Sequence, residues 1–372
     1  MRIHFAAMGG AAAITPSDMQ QKMGMGINLG NTLEAPEEGD WAPAARETFF
    51  DAYKTQGFKN VRVPVRWDKH TGQSSPYTID PKWMSRVEEV VGWSLKREFP
   101  TVMNVHHDDW LDDPNSFESQ FPRFVAIWQQ VAEHFQSAED DLVFECFNEP
   151  HKMTADQLNR MNAACVSTIR KSNPHRIIMI SGLSWDSPQW IQSGKLQIPQ
   201  DDKLMVHIHS YDPWSYCNDN PTQHSWGSAA DRAAMTGWIE QMDAWSKRYG
   251  LPVYYGEFGV THKQSPSTGR VTWYQARQQA IAKVGWAAAA WDDCGDFKIF
   301  DRDSHTWDQA VADALVGKGS SCPGQGSCAC DWTKEGAQCG EDDGSECFCK
   351  CCCPYKGTDY QCKWQPGFLA TV

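Results

Sequence analysis

From Gly24 onward, short apolar runs alternate with longer stretches whose apolar residues recur at helical spacing. This is the pattern of strand–helix units feeding a parallel sheet. Eight runs read as strands: 25–29, 60–65, 101–106, 142–147, 177–181, 204–209, 253–257 and 286–291. Between them the helical period predicts helices over 44–56, 82–97, 123–135, 155–171, 230–249 and 273–283, with shorter ones over 185–192 and 306–315. Eight such units predict an α/β protein, a closed (β/α)8 TIM barrel over residues 21–316 with its chemistry at the carboxyl ends of the strands. An open, doubly wound sheet is the alternative, but Gly30-Asn31-Thr32 after the first strand lacks the G-x-G-x-x-G spacing of a phosphate-binding turn.

Two of the runs stop at a glutamate. Val143 to Phe147 ends in Asn148-Glu149-Pro150, and 108 residues later Val253-Tyr254-Tyr255-Gly256 ends in Glu257. Polar and aromatic groups recur at the same end of nearly every other strand. The list runs through Arg62 and Trp67, then Asn104, His106, His107, Asp108 and Trp110, then His207, His209, Tyr211 and Trp214, then Trp291 and Asp292. A barrel brings such residues to one mouth. Scattered, solvated side chains would not recur with that regularity.

Composition narrows the partner. A net charge of −13 supplies no basic surface to neutralise phosphates, which argues against nucleic acid. No apolar run reaches eighteen residues, so none is long enough to span a membrane as a helix. The 18 Trp, 16 Phe and 10 Tyr exceed what a core alone needs, and a neutral ligand with flat apolar faces suits the surplus. Ten of the 14 Cys fall between Cys322 and Cys362, after a short hinge at 317–321. Residues 322–372 therefore read as a small disulfide-rich module, and such cysteine density points to a secreted protein. Residues 1–20 read as an N-terminal extension or the remnant of a leader. Nothing in the composition calls for a cofactor or a partner chain, so a monomer is expected.

Two carboxyl groups at one mouth suit hydrolysis of a glycosidic bond: one protonates the leaving oxygen while the other stands ionised on the opposite face of the sugar. Their surroundings must then differ in electrostatic sign. Arg62 is placed to hold one carboxylate charged; His209 and Tyr211 can hydrogen-bond one or the other. Asn148 can reach a sugar hydroxyl, and Trp41, Trp67, Trp110, Trp214 and Trp291 offer stacking faces.

The strings Met25-Gly26-Ile27-Asn28-Leu29-Gly30-Asn31-Thr32-Leu33-Glu34, Gly57-Phe58-Lys59-Asn60-Val61-Arg62-Val63-Pro64-Val65-Arg66-Trp67, Asn148-Glu149-Pro150, His209-Ser210-Tyr211, Gly256-Glu257-Phe258-Gly259 and Trp291-Asp292 occur in this order. Together they resemble glycoside hydrolase family 5 over about residues 24–302. The resemblance implies that Glu149 is the acid/base and Glu257 the nucleophile of a retaining mechanism. It implies Arg62, His106, Asn148, His209, Tyr211 and Trp291 as the other active-site positions; Asn31, Trp41, Trp67, His107, Trp110 and Trp214 are expected beside them as further sugar contacts. It implies an endo-acting β-1,4-glucanase taking cellulose or a mixed-linkage β-glucan, with a mannanase or xyloglucanase as the alternative. A carboxyl separation of about 5 Å is expected. Ser210 departs from the aromatic often found there, and the Cys-rich module lies outside the resemblance.

Two rival readings remain. The histidines His106, His107, His207 and His209 suit a metal-dependent barrel hydrolase, although that class wants His-x-His on the first strand and here His207-Ile208-His209 lies on the sixth. A polysaccharide-binding protein without catalysis is the other. His207 reads as a structural histidine, Cys146 as a buried apolar residue, and Cys217 and Cys294 as a pair across the mouth. For the Cys-rich module, carbohydrate binding or docking through Trp332, Phe348, Tyr355, Tyr360 and Trp364 competes with metal binding and with a protective cap.

Overall fold

The computed structural model describes residues 13–107 and 109–318. The expected Cys-rich module, Asp108 and residues 1–12 lie outside the described residues. Eight parallel strands close into a barrel: β1 (Met25–Asn28), β2 (Val61–Val63), β3 (Thr101–Asn104), β4 (Leu142–Glu145), β5 (Ile178–Ile180), β6 (Leu204–His209), β7 (Val253–Glu257) and β8 (Ala287–Ala290). Each strand pairs with the next, and β8 returns to β1 through Met25 opposite Ala288 and Ile27 opposite Ala290. A two-stranded ribbon, β9 (Phe300–Asp301) and β10 (Thr306–Trp307), follows the barrel. Strands β6 and β7 coincide with their apolar runs, and the other six are shorter by one to three residues.

The helices are α1 (Pro16–Met23), α2 (Glu47–Gln56), α3 (Pro81–Leu95), α4 (Phe117–His134), α5 (Ala155–Arg170), α6 (Leu183–Asp186), α7 (Pro188–Ile191), α8 (Trp214–Cys217), α9 (Ala229–Tyr249), α10 (Arg270–Val284) and α11 (Gln309–Leu315). Their ends follow local chemistry. Thr154 with Gln157 and Ser228 with Asp231 form capping boxes, while Gly57, Gly250 and Gly285 end α2, α9 and α10 in the left-handed conformation. Two expectations change. Helix α4 starts at Phe117, not Arg123, with Pro122 inside it and Phe117 buried. The single helix expected over 185–192 is two short turns, because Ser184, Trp185 and Asp186 all have positive φ.

The period-two alternation of a strand separates two cores. Met103, Phe144, Ile178, Ile180, Val206, Ile208, Val253, Tyr255 and Ala288 face the helices. Val102, Val143, Met179, Met205, Tyr254, Ala287 and Ala289 fill the lumen. The lower end of that lumen is closed by α1, whose Met19 and Met23 are fully buried against these residues. Gln20 Nε2 donates to Val253 O (2.7 Å), and Lys203 Nζ donates to Ile14 O (3.0 Å). The barrel's structure thus begins before the expected boundary at residue 21. Above the apolar layer the same inward positions turn polar, with Asn28, Arg62, Asn104, Glu145 and His207 all buried.

The expected Cys217–Cys294 pair does not form. Cys217 is fully buried at the end of α8 and Cys294 sits half-buried in a left-handed turn beyond β8; both are free thiols.

Because Met19 plugs a close-packed lumen, Met19→Ala leaves a void that the surrounding strands cannot fill. Denaturant unfolding is expected to show a loss of about 2–5 kcal/mol, with steady-state activity unchanged well below the unfolding transition.

Candidate active site

The polar layer is built around one guanidinium. Arg62 projects inward from the middle of β2, and its Nε and Nη2 donate to Glu145 Oε2 and Oε1, both at 2.7 Å. Nη1 donates to Glu257 Oε1 (2.6 Å) and Asn28 Oδ1 (3.0 Å), and Nη2 also donates to Asn148 Oδ1 (2.7 Å). Burial alone would push Glu145 up, but the charges of Arg62 and His207 overcome it and hold that carboxyl at about 2. Glu145 also accepts from Asn104 Nδ2 (2.8 Å). Glu145 lies inside an apolar run, which conceals it in the sequence. A signal was present: a lone acid in an inward strand position needs a buried partner, and Arg62 sits alone in a similar run.

Glu257, at the end of β7, has each oxygen assigned. Oε1 takes Arg62, and Oε2 accepts the Tyr211 hydroxyl at 2.9 Å. Burial holds the Tyr211 phenol far above its ordinary range, so it stays a donor. Glu149 follows β4 with φ 50, a left-handed conformation uncommon outside glycine. Its Oε1 lies 2.8 Å from His209 Nδ1, and its side chain is 25 % exposed to the cleft. Burial, then the neighbouring Asp186 carboxylate, pushes Glu149 up to about 8. Glu257 is also raised by burial, but His209 and Arg62 pull against the rise. One oxygen of each glutamate and a ring nitrogen of His209 lie within 4.8 Å of one another.

The three imidazoles around the pair are neutral donors or acceptors. Burial carries His106 well below its ordinary range and His209 down to about 4, and desolvation by its neighbours lowers His107, which is exposed to the cleft, to about 4. The His209 ring fits because residue 256 is glycine: a Cβ there would stand 2.9 Å from His209 Nε2. Trp291 fits for a similar reason, with its ring 2.9 Å from where a Cβ of Gly30 would be. Arg302 ties the two strand ends that carry this contact, donating to Gly30 O and Asp292 O, both at 2.6 Å.

A cleft of about 950 Å³ opens above these groups. Of the expected sugar contacts, His107, Trp214 and Trp291 line it together with His106, Asn148 and Tyr211. Trp41 is 46 % exposed and meets the His107 ring edge-on at 5.2 Å. Three expectations are corrected. Trp67 is fully buried, its Nε1 donating to Asn104 O (2.8 Å), so it is part of the wall. Trp110 is half-buried beneath the Arg123 guanidinium (4.9 Å) and does not line the cleft. Asn31 occupies a left-handed turn whose backbone N–H is held by Glu34, and it too is absent from the lining.

The cleft contains residues that the sequence reading missed. Trp185 is 56 % exposed and stacks on His151 with centroids 4.7 Å apart. Asp112 fixes the loop below by accepting the backbone N–H groups of His151, Lys152 and Met153 at 2.9–3.0 Å. These depend on loop conformation, which strand periodicity does not report.

Among the described residues, two groupings of acids and histidines have the proximity of a metal site: Glu145 with His207 and His209, and Glu149 with His209 and Glu257. In each, a carboxylate is already engaged by Arg62 at 2.6–2.7 Å. The guanidinium supplies the charge that a cation would bring.

Residues 21–295 match the model of the family described as cellulase (glycosyl hydrolase family 5). The chain is 41 % identical over 315 residues to endoglucanase H of Acetivibrio thermocellus, covering 83 % of this chain and 34 % of that protein. It is thus similar to about a third of that longer chain. It is 30 % identical over 332 residues to endoglucanase B of Clostridium cellulovorans, covering 81 % of this chain and 75 % of that one. Among solved structures, endoglucanase Cel5A from Thermotoga maritima superposes with a TM-score of 0.78 at 31 % identity, covering 81 % of this chain and all of its own.

Glu145→Gln removes the charge that partners Arg62 in a fully buried site. It is expected to cost about 3 kcal/mol, the low end for breaking a buried pair because one acceptor is retained, and to lower kcat at least about tenfold by freeing Arg62 from its position beside Glu257. Chemical denaturation and steady-state kinetics on the same preparation check both.

Proposed function

The chain belongs to the cellulase family, glycosyl hydrolase family 5, and on that premise we propose that it is a retaining, endo-acting hydrolase of β-1,4-glucan. The observation that carries this reading is a pair of carboxyl groups within 4.8 Å, of which Glu257 is bonded to the Arg62 guanidinium and Glu149 to an imidazole. That separation leaves no room for a water between sugar and base, as an inverting route would need, and suits direct attack by one carboxylate.

In the first step the Glu257 carboxylate attacks the anomeric carbon while Glu149 gives its proton to the leaving oxygen. The Arg62 and Tyr211 contacts fix both Glu257 oxygens, so attack needs little reorientation. The product is a glycosyl ester on Glu257 and a shortened chain with a free hydroxyl. Glu149, now ionised, takes a proton from the incoming water, whose oxygen displaces Glu257 and restores both residues. Asn148, held by Arg62, and the neutral His106 and His107 supply hydrogen bonds to hydroxyls of the sugar that reacts.

An open cleft favours action within a chain. Exposed Trp41 stands on the β1 side of the mouth, with Trp185 and Trp214 on the β5–β6 side. The names of the relatives, endoglucanases H, B and Cel5A, support glucan as the substrate class. We further propose that the protein is secreted and that its Cys-rich module binds or docks to carbohydrate.

Glu257→Ala is expected to lower kcat at least about 10⁴-fold while polysaccharide binding persists, and azide is expected to restore turnover with a product of inverted configuration. Glu149→Ala is expected to spare the first step only for substrates with an activated leaving group. Full residual hydrolysis in Glu257→Ala contradicts the assignment. Product analysis on soluble β-glucan, glucomannan, xyloglucan and xylan is expected to show the highest kcat/KM on β-glucan, with internal cleavage.

A further inference from the structure

Beneath Glu149, and outside the cleft's reacting groups, lies a second charged pair. Asp186 Oδ2 accepts the backbone N–H of Glu149 at 2.8 Å and Oδ1 accepts that of Gly182 at 2.7 Å. The same carboxylate faces His207 Nε2 at 2.8 Å, and both side chains are completely buried. Glu145 Oε1 stands 3.9 Å from the same ring nitrogen. Burial alone would depress His207, but the Asp186 and Glu145 carboxylates outweigh it and hold the imidazole above its ordinary value.

Such a pair is a poor way to gain stability, since well-packed apolar residues of similar volume often do as well or better. The backbone also carries strain at this point: Ser184, Trp185 and Asp186 have successive φ values of 58°, 59° and 55°, and Glu149 has 50°. Each such residue is unfavourable and persists only where its surroundings enforce it. What the strain achieves is the placement of one carboxylate under the Glu149 backbone.

Among the described residues, every other ionisable group facing Glu149 is part of the reacting site or its rim: His209 from β6, Glu257 from β7, Arg62 from β2, Tyr211 beyond β6 and His151 from its own loop. Asp186 and His207 alone have no path to the substrate. We propose that Asp186 and His207 are a positioning pair that sets the protonation of Glu149, the anion opposing its ionisation, the cation limiting that effect, and the hydrogen bond fixing its left-handed backbone. This rests on the reading of Glu149 as the acid/base. The electrostatics agree in sign, because Asp186 is the main charge raising Glu149 while His207 lowers it.

The test is the pH dependence of kcat/KM on a soluble β-glucan, whose alkaline limb reports loss of the catalytic proton. Asp186→Asn keeps an acceptor for the Glu149 N–H but removes the negative charge, so the limb is expected to move to lower pH by up to about one unit. His207→Gln keeps a donor toward Asp186 but removes the positive charge, so the limb is expected to move to higher pH. The double variant is expected to lie near the parent. A purely structural role predicts loss of activity or of thermal stability without opposed shifts. Limbs that stay in place, or move in the same direction, overturn the proposal; if one variant does not fold, the direction in the other decides. Glu149→Ala with an activated aryl cellobioside separates the two layers. Absence of the limb there upholds Glu149 as the acid whatever the pair does, and its persistence removes both assignments.

Discussion

The rest of the structure depends on how the Arg62 guanidinium is shared. Its N–H donors are divided among Glu145, Glu257, Asn28 and Asn148, on strands or strand exits β4, β7, β1 and β4. A planar fork of five donors can be saturated in this way, whereas an ammonium group could not reach all four partners. One positive charge thus serves two carboxylates. Glu145 is paired on both oxygens and stays ionised; Glu257 is paired on one, with Tyr211 on the other. Glu149 receives no direct bond from the cation, and its nearest partner is a neutral imidazole. The division of labour between the two glutamates follows from this inequality.

The inequality persists because water is kept from the layer that carries it. Met19 and Met23 close the barrel below, and the lumen between them and Arg62 is filled by Val102, Val143, Met179, Met205 and Tyr254. In such surroundings a charge is costly unless paired, and pairing is stronger than at the surface. The apolar floor and the polar layer are therefore one device. The same inward positions of β3, β4 and β6 supply both, apolar at one register and Asn104, Glu145 and His207 two residues further on, with His209 two beyond that.

Much of this was legible in the sequence. Strand runs ending in polar residues marked the barrel and its mouth, and Glu149, Glu257, Arg62, His209 and Tyr211 fell where their positions on the strands implied. The tryptophans were less legible, because residue type does not say which face of a loop a ring takes. Trp67 and Trp110 proved to be wall, whereas Trp185, hidden within an expected helix, is among the most exposed rings in the cleft. Glu145 was concealed by its own apolar neighbours. Asp186 was out of reach for another reason: its position under Glu149 depends on three successive left-handed residues, none of them glycine, which no propensity favours.

The central claim is that Glu257 attacks the sugar directly while Glu149 supplies and recovers the proton. The stereochemistry of the first-formed product tests it most directly, read by proton NMR on a cello-oligosaccharide before mutarotation. The account predicts a β-configured new reducing end. An α-configured one would mean that water, not Glu257, attacks in the first step.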